Sequence, residues 1–167
     1  MRYVREAGSD PAFLLKALGE ASGEIRRSIA GMRHRELLLP GKGIDDDWCL
    51  MGVAAHMRDV EEGVGDQVEL ILTAREPEIH HVDLDDIPFR EDYLKEDIED
   101  VLDDLNYYRR QNRYRLYDLH PSQWERGGIH PYRGRRTVAE IVRELYQHDL
   151  EHLWQVGRII EAVAGQK

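Results

Sequence analysis

Four stretches of this chain place apolar residues at three- and four-residue steps between helix caps and breakers, a pattern that restricts it to packed amphipathic helices. The first opens at Ser9-Asp10-Pro11, an N-cap followed by proline at the first helical position, and runs to about Met32. Its stripe is Phe13, Leu14, Ala17, Leu18, Ala21, Ile25, Ile29 and Met32, weakened by Gly19 and Gly23. The second starts near Trp48, after Asp45-Asp46-Asp47 at the positive end of the helix dipole, and reaches about Ala74, with Val53, His56, Val60, Val64, Val68 and Ile71 inward. The third spans about Glu91 to Leu119 and turns Tyr93, Leu94, Ile98, Val101, Leu102, Leu105, Tyr108 and Leu116 inward. The fourth opens on the capping box Thr137-Val138-Ala139-Glu140 and continues to about Ala164, with Ile141, Leu145, His148, His152, Val156 and Ile159 on one face.

Four helices of roughly 20 to 28 residues pack most simply as one bundle, so residues 1–167 read as a single all-α domain. Residues 75–90, with Pro77 and Pro88, are too long for a tight hairpin and predict a crossover between helices two and three. Residues 121–136, rich in Gly, Pro and aromatics, read as a loop packed over the bundle.

Composition removes several classes. No apolar run approaches the roughly 18 to 20 residues of a membrane-spanning helix, so no membrane partner is expected. The opening Met1-Arg2-Tyr3-Val4-Arg5-Glu6 lacks the apolar stretch of a secretory signal, which points to the cytoplasm. Asp plus Glu outnumber Lys plus Arg by 33 to 23, and this acidity disfavours nucleic acid. Cys49 is the only cysteine, so any metal has to use His and carboxylate. The run Arg133, Arg135, Arg136 reads first as a solvated loop, with a substrate-anion contact as the alternative. Arg109, Arg110, Arg113 and Arg115, mixed with Tyr107, Tyr108, Tyr114 and Tyr117, read as dipole partners ahead of a grip on an anionic or aromatic ligand.

Of eight histidines, His34, His80, His81 and His120 fall in polar connections or frayed ends. His56, His148 and His152 instead interrupt apolar stripes. Residues four apart on a helix lie about 5 to 6 Å apart at Cβ, so His148 and His152 face one ion together, and His56 supplies a third ligand from the facing helix. A single such histidine is more often a core residue bonded to a carbonyl. Three converging rings would leave several nitrogens unsatisfied at about 1 to 3 kcal/mol each, which one divalent cation relieves. Zinc comes first, with nickel and iron as alternatives, since all accept imidazole. Three ligands leave a position open to water, the pattern of a reactive site. Asp59 and His130 are the nearest candidates for proton transfer, and Asp59 equally suits a partner that holds an imidazole. Trp124, Tyr132 and the stretch from Arg133 to Arg136 are candidate walls of the open side, with plain packing the commoner role for Trp124. His148-Asp149-Leu150-Glu151-His152 spells H-x-x-E-H, but that peptidase class needs a carboxylate ligand well downstream, and Glu161 lies too far along the same helix. H-E-x-x-H fails at Asp149.

Trp48 followed by His56, then Trp124, Gly134, Thr137 and finally His148-Asp149-Leu150-Glu151-His152-Leu153-Trp154-Gln155-Val156 resemble the DinB/YfiT-like superfamily over nearly the whole chain. Residues 137–156 match the late motif His-Asp-x-x-His-Leu-x-Gln closely, whereas the early part matches only in its Trp and His. The resemblance implies a four-helix bundle with a crossover, a three-histidine metal site at His56, His148 and His152, and homodimers. Some members transfer or isomerise with low-molecular-weight thiols; others are called metal-dependent hydrolases. Two classes of function follow. One is a metal-dependent enzyme acting on a small electrophile, with thiol S-transfer placed first and hydrolysis second, and no catalytic side chain assigned. The other is a non-catalytic, dimerising, stress-related binding protein with the ion as a clamp.

Overall fold

Each long helix begins where a side chain satisfies its first free amides. In the computed structural model, which describes residues 10–41, 48–79 and 91–165, α1 (Pro11–Ile29) is capped by Asp10, which accepts from the Ala12 amide, with Pro11 in the first turn. A short α2 (His34–Leu37) follows Gly31, whose φ of 76° stops α1 before the predicted Met32. The next long helix, α3 (Leu50–Thr73), is capped by Cys49, whose sulfur accepts from the Gly52 amide at 3.5 Å. The acids Asp45 to Asp47 expected to open it lie outside the described residues, as do His80, His81 and the middle of the predicted crossover.

The third predicted helix begins later than its periodicity suggested. Glu91–Lys95 is a single 3-10 turn, and α4 (Ile98–Tyr117) starts afresh because the Asp97 carboxylate accepts from the Glu99 and Asp100 amides at 2.9 and 3.4 Å. Its inward stripe also differs. Leu102, Leu105, Arg109, Asn112 and Leu116 are buried, while Tyr108 is half-buried and donates its hydroxyl to Glu62.

The expected loop 121–136 is ordered structure: a turn of helix, α5 (Pro121–Trp124), then strands β1 (Gly127–His130) and β2 (Gly134–Thr137) paired antiparallel. The hairpin turns at Gly134, with φ 71°. β1 also takes up the chain leaving α3: Ile129 donates to the Pro77 carbonyl at 2.7 Å, and the Ile79 amide to the Ile129 carbonyl at 3.0 Å. A Cβ on Gly128 would meet Ile79 and, at 2.9 Å, the Pro77 carbonyl, so this approach needs glycine. The last helix, α6 (Val138–Ala164), keeps the predicted capping box, with Thr137 and Glu140 each accepting the other's amide.

Contacts between helices fix their directions. Glu61 meets Arg109 and Glu69 meets Arg115, so α3 and α4 run parallel. The Leu15 and Leu18 carbonyls meet Arg113 and Arg109 while Arg26 meets Glu99, so α1 opposes α4. His56 meets His148, and Val64 lies beside Ile141, so α3 opposes α6. α1 packs on α4 and α6, and α3 packs on the same two, leaving α1 and α3 across one diagonal. A parallel α3/α4 pair puts the end of α3 and the start of α4 at opposite ends of the bundle, as the predicted crossover requires.

The core is split by a polar layer. One apolar cluster gathers Ile25, Val53, Met57, Leu105 and Val156; the other gathers Leu18, Val60, Leu116, Trp124 and Leu145. Between them every long helix exchanges an apolar residue for a polar one: Ser22, His56 with Glu61, Arg109 with Asn112, and His148 with Asp149.

Candidate metal centre

His148 and His152 project from one face of α6, and His56 meets them from α3. The His148 Nε2 atom lies 2.9 Å from Nε2 of His56 and 2.9 Å from Nε2 of His152. All three ligand atoms fall within 4.8 Å of one another. An imidazole nitrogen carries at most one proton, so these facing nitrogens cannot all be satisfied by one another. His148 Nδ1 is buried with no hydrogen-bond partner. His152 Nδ1 is held by Oε1 of Gln155 at 2.7 Å. The Trp48 ring meets His56 edge-on at 5.1 Å and lies 6.2 Å from the His152 ring.

Electrostatics suit the same purpose. Burial, reinforced by His152, His56 and Arg109, pushes the pKa of His148 down to about 2, and burial also lowers that of His152 although Gln155 opposes it. These rings are therefore neutral at physiological pH, with lone pairs available for coordination. The donor set, the burial and the convergence of three Nε2 atoms fit a divalent cation.

Beside the histidines lies a network that the periodicity did not reveal. Arg109, 2% exposed, donates Nε to Glu61 at 2.8 Å, forms two bonds to Asp149 at 2.6 and 2.9 Å, and reaches the Leu18 carbonyl at 2.7 Å. Asn112 donates to the Glu61 carboxylate at 2.8 Å and to its carbonyl at 2.9 Å. Gly65 makes room for that amide, since a Cβ there would collide with it. Burial tends to discharge Arg109, but Asp149 and Glu61 outweigh it and hold the guanidinium charged; burial raises the Glu61 pKa, with Arg109 opposing. One arginine thus touches the other three long helices, and through Asp149 it anchors α6 at the residue after His148. The dipole-partner reading of Arg109 gives way to this one. The signal in the sequence was the uninterrupted stripe 102, 105, 109, 112, 116, which only Arg109 and Asn112 complete.

The other candidates lie elsewhere. Asp59 accepts from Arg58 at 2.9 and 2.8 Å and from the Tyr93 hydroxyl at 2.7 Å, tying the 3-10 turn to α3. His130 sits in β1, where Nδ1 accepts the Tyr132 and Arg133 amides at 3.2 Å each, and it lines a small cavity with Val64, Ile141 and Glu144. Ile141 precedes His148 by two turns, about 10 Å along α6. Trp124 belongs to the same half of the core as Ile141 and is buried by packing. Arg133 and Arg136 pair with Glu144, and Arg135 with Glu76. The hairpin caps the end of the bundle where α3 finishes and α6 begins, so His130 and Trp124 are not gathered around the histidines, while Arg133 and Arg136 reach Glu144, one turn before His148.

Fold and site together define a class, a four-helix bundle with a buried three-histidine cluster suited to a metal ion. The chain belongs to the DinB superfamily, whose family model matches residues 9–156. No curated protein matches it. Among solved structures it is similar in fold to YfiT from Bacillus subtilis, described as a probable metal-dependent hydrolase with an unusual four-helix bundle topology. That likeness has a TM-score of 0.80 at 20% identity and covers 90% of this chain and 86% of the other. No helix among the described residues is long and apolar enough to cross a membrane.

Proposed function

We propose that the chain is a divalent-metal-dependent enzyme and that hydrolysis of a small electrophile is the reaction its centre suits. The observation that carries this reading is the convergence of His56, His148 and His152 with no fourth Asp, Glu, His or Cys donor among the described residues. Such a set holds an ion and leaves room for water and substrate. When bound, the ion supplies Lewis acidity, polarising a substrate oxygen or acidifying a nearby water or thiol. The chain's own groups do the rest. Three imidazoles would bind the ion, and Trp48 packs beside the His56 and His152 rings. Zinc suits an all-imidazole set, and nickel and iron also accept it. The description of YfiT as a probable metal-dependent hydrolase supports the same class of reaction.

Thiol transfer asks for more than the ion, because a low-molecular-weight thiol is a second and usually charged substrate. The arginines that were candidates to receive it already have their charge matched: Arg133 and Arg136 pair with Glu144, one helical turn before His148, and Arg135 with Glu76. Hydrolysis needs only water as its second substrate, and is preferred for that reason.

Elemental analysis of untagged protein, with His56→Ala, His148→Ala and His152→Ala, tests the centre, and a panel of esters, amides and phosphoesters assayed with and without metal tests the reaction. One ion per chain, lost in each variant, and a metal-dependent hydrolysis are the expected results. A chain that takes up none of zinc, nickel or iron overturns the reading, as does hydrolysis indifferent to all three substitutions.

A further inference from the structure

We infer that Gln155 is a positioning residue that fixes His152 in its metal-ligating tautomer and so sets the affinity of the centre; this rests on the metal reading above. Gln155 follows His152 by three residues on α6, on the same helical face, and is itself 7% exposed. Its Oε1 lies 2.7 Å from His152 Nδ1. An amide oxygen only accepts, so Nδ1 carries the single proton of the neutral ring. Nε2 is then left with a lone pair, and that is the atom directed at His148 Nε2. The companion ring lacks this support: His148 Nδ1 is buried with no hydrogen-bond partner. Of the two rings on α6, His152 is the one held ready for the ion.

Without the amide oxygen, the proton of His152 is free to move to Nε2. The ring then presents N–H to the cluster and must change tautomer before it coordinates. Gln155→Leu removes the acceptor while keeping a side chain of similar size. Gln155→Glu keeps an acceptor and removes the donor end of the amide, so it separates acceptance from mere packing.

The experiment titrates zinc against a competing chelator in wild type, Gln155→Leu and Gln155→Glu, and reads ring 15N shifts in the metal-free proteins. Zinc binding is expected to weaken about 10- to 100-fold in Gln155→Leu and to stay at or above wild type in Gln155→Glu. Metal-free unfolding temperatures are expected to fall by no more than about 6 °C, as the loss of one hydrogen bond implies, and His152 is expected to carry its proton on Nδ1 in wild type but to shift towards Nε2 in Gln155→Leu. Affinity within about two-fold of wild type in Gln155→Leu overturns the assignment, as does a wild-type His152 protonated on Nε2. If the wild type binds no zinc, the metal reading falls, while the 15N shifts still decide whether Gln155 sets the tautomer.

Discussion

Replacing Arg109 by methionine removes the one cation shared by two buried carboxylates while keeping an unbranched apolar stem. Arg109, Glu61 and Asp149 are 2%, 0% and 1% exposed, so solvent cannot take over the lost charge pairing. Breaking one partner out of a buried ion pair is worth about 3 to 5 kcal/mol of stability. In a chain of this size each kcal/mol moves the midpoint by about 2 to 4 °C, so Tm should fall by roughly 6 to 20 °C near neutral pH. The loss should also depend on pH. Glu61 already has a raised pKa from burial, with Arg109 opposing, and removing Arg109 raises it further. A raised folded pKa contributes stability below the unfolded value, about 4.3 for Glu, and loses it as pH climbs through the folded value. The deficit of Arg109→Met should therefore be smaller at about pH 5 than at about pH 8. Adding Glu61→Gln and Asp149→Asn should recover part of it by removing the stranded charges. Calorimetry of metal-free protein at both pH values checks this. A drop under about 3 °C, or a deficit independent of pH, refutes the view that these carboxylates depend on Arg109.

His148 titrates with the opposite sign: its folded pKa is depressed from 6.5 to about 2. Metal-free protein should lose up to about 1.4 kcal/mol per pH unit as pH falls below that unfolded value, and His148→Ala should flatten the slope in urea titrations. Chelation should lower Tm while leaving the helical circular-dichroism signal, because the arginine network and both apolar clusters need no ion; at a free ion level of 100 Kd the difference is about 2.7 kcal/mol. A bundle that melts on chelation would instead favour the clamp reading. His130→Ala should weaken the hairpin by about 0.5 to 1.5 kcal/mol, the net loss of its hydrogen bonds to the Tyr132 and Arg133 amides, with metal content unchanged. Gly65→Ala should destabilise by about 1 to 3 kcal/mol by driving a methyl into Asn112, measurable by denaturant unfolding.

The histidine cluster was readable because its members break a pattern that is otherwise apolar, and the Thr137–Glu140 box because it completes itself within four residues. Arg109 was harder. Four arginines near the end of one helix have a simpler explanation in the dipole, and only its place on the buried stripe of α4 distinguishes it. The hairpin was hidden because its strands are four residues each, too short for an alternating pattern to stand out, and one of them rests on Pro77 and Ile79, some 50 residues earlier in the chain.

What the amino-acid order determined alone is local: helix faces, caps, and the arrival of His148 and His152 on one side of α6. Such features depend on residues three or four positions apart, whose spacing the helix itself dictates. Tertiary structure alone decided which polar residues share a level in the core. Arg109 lies 48 residues from Glu61 and 40 from Asp149, and His56 lies 92 from His148. Whether such residues touch depends on helix direction and axial register, and these are set by the crossover and by packing that no local spacing encodes.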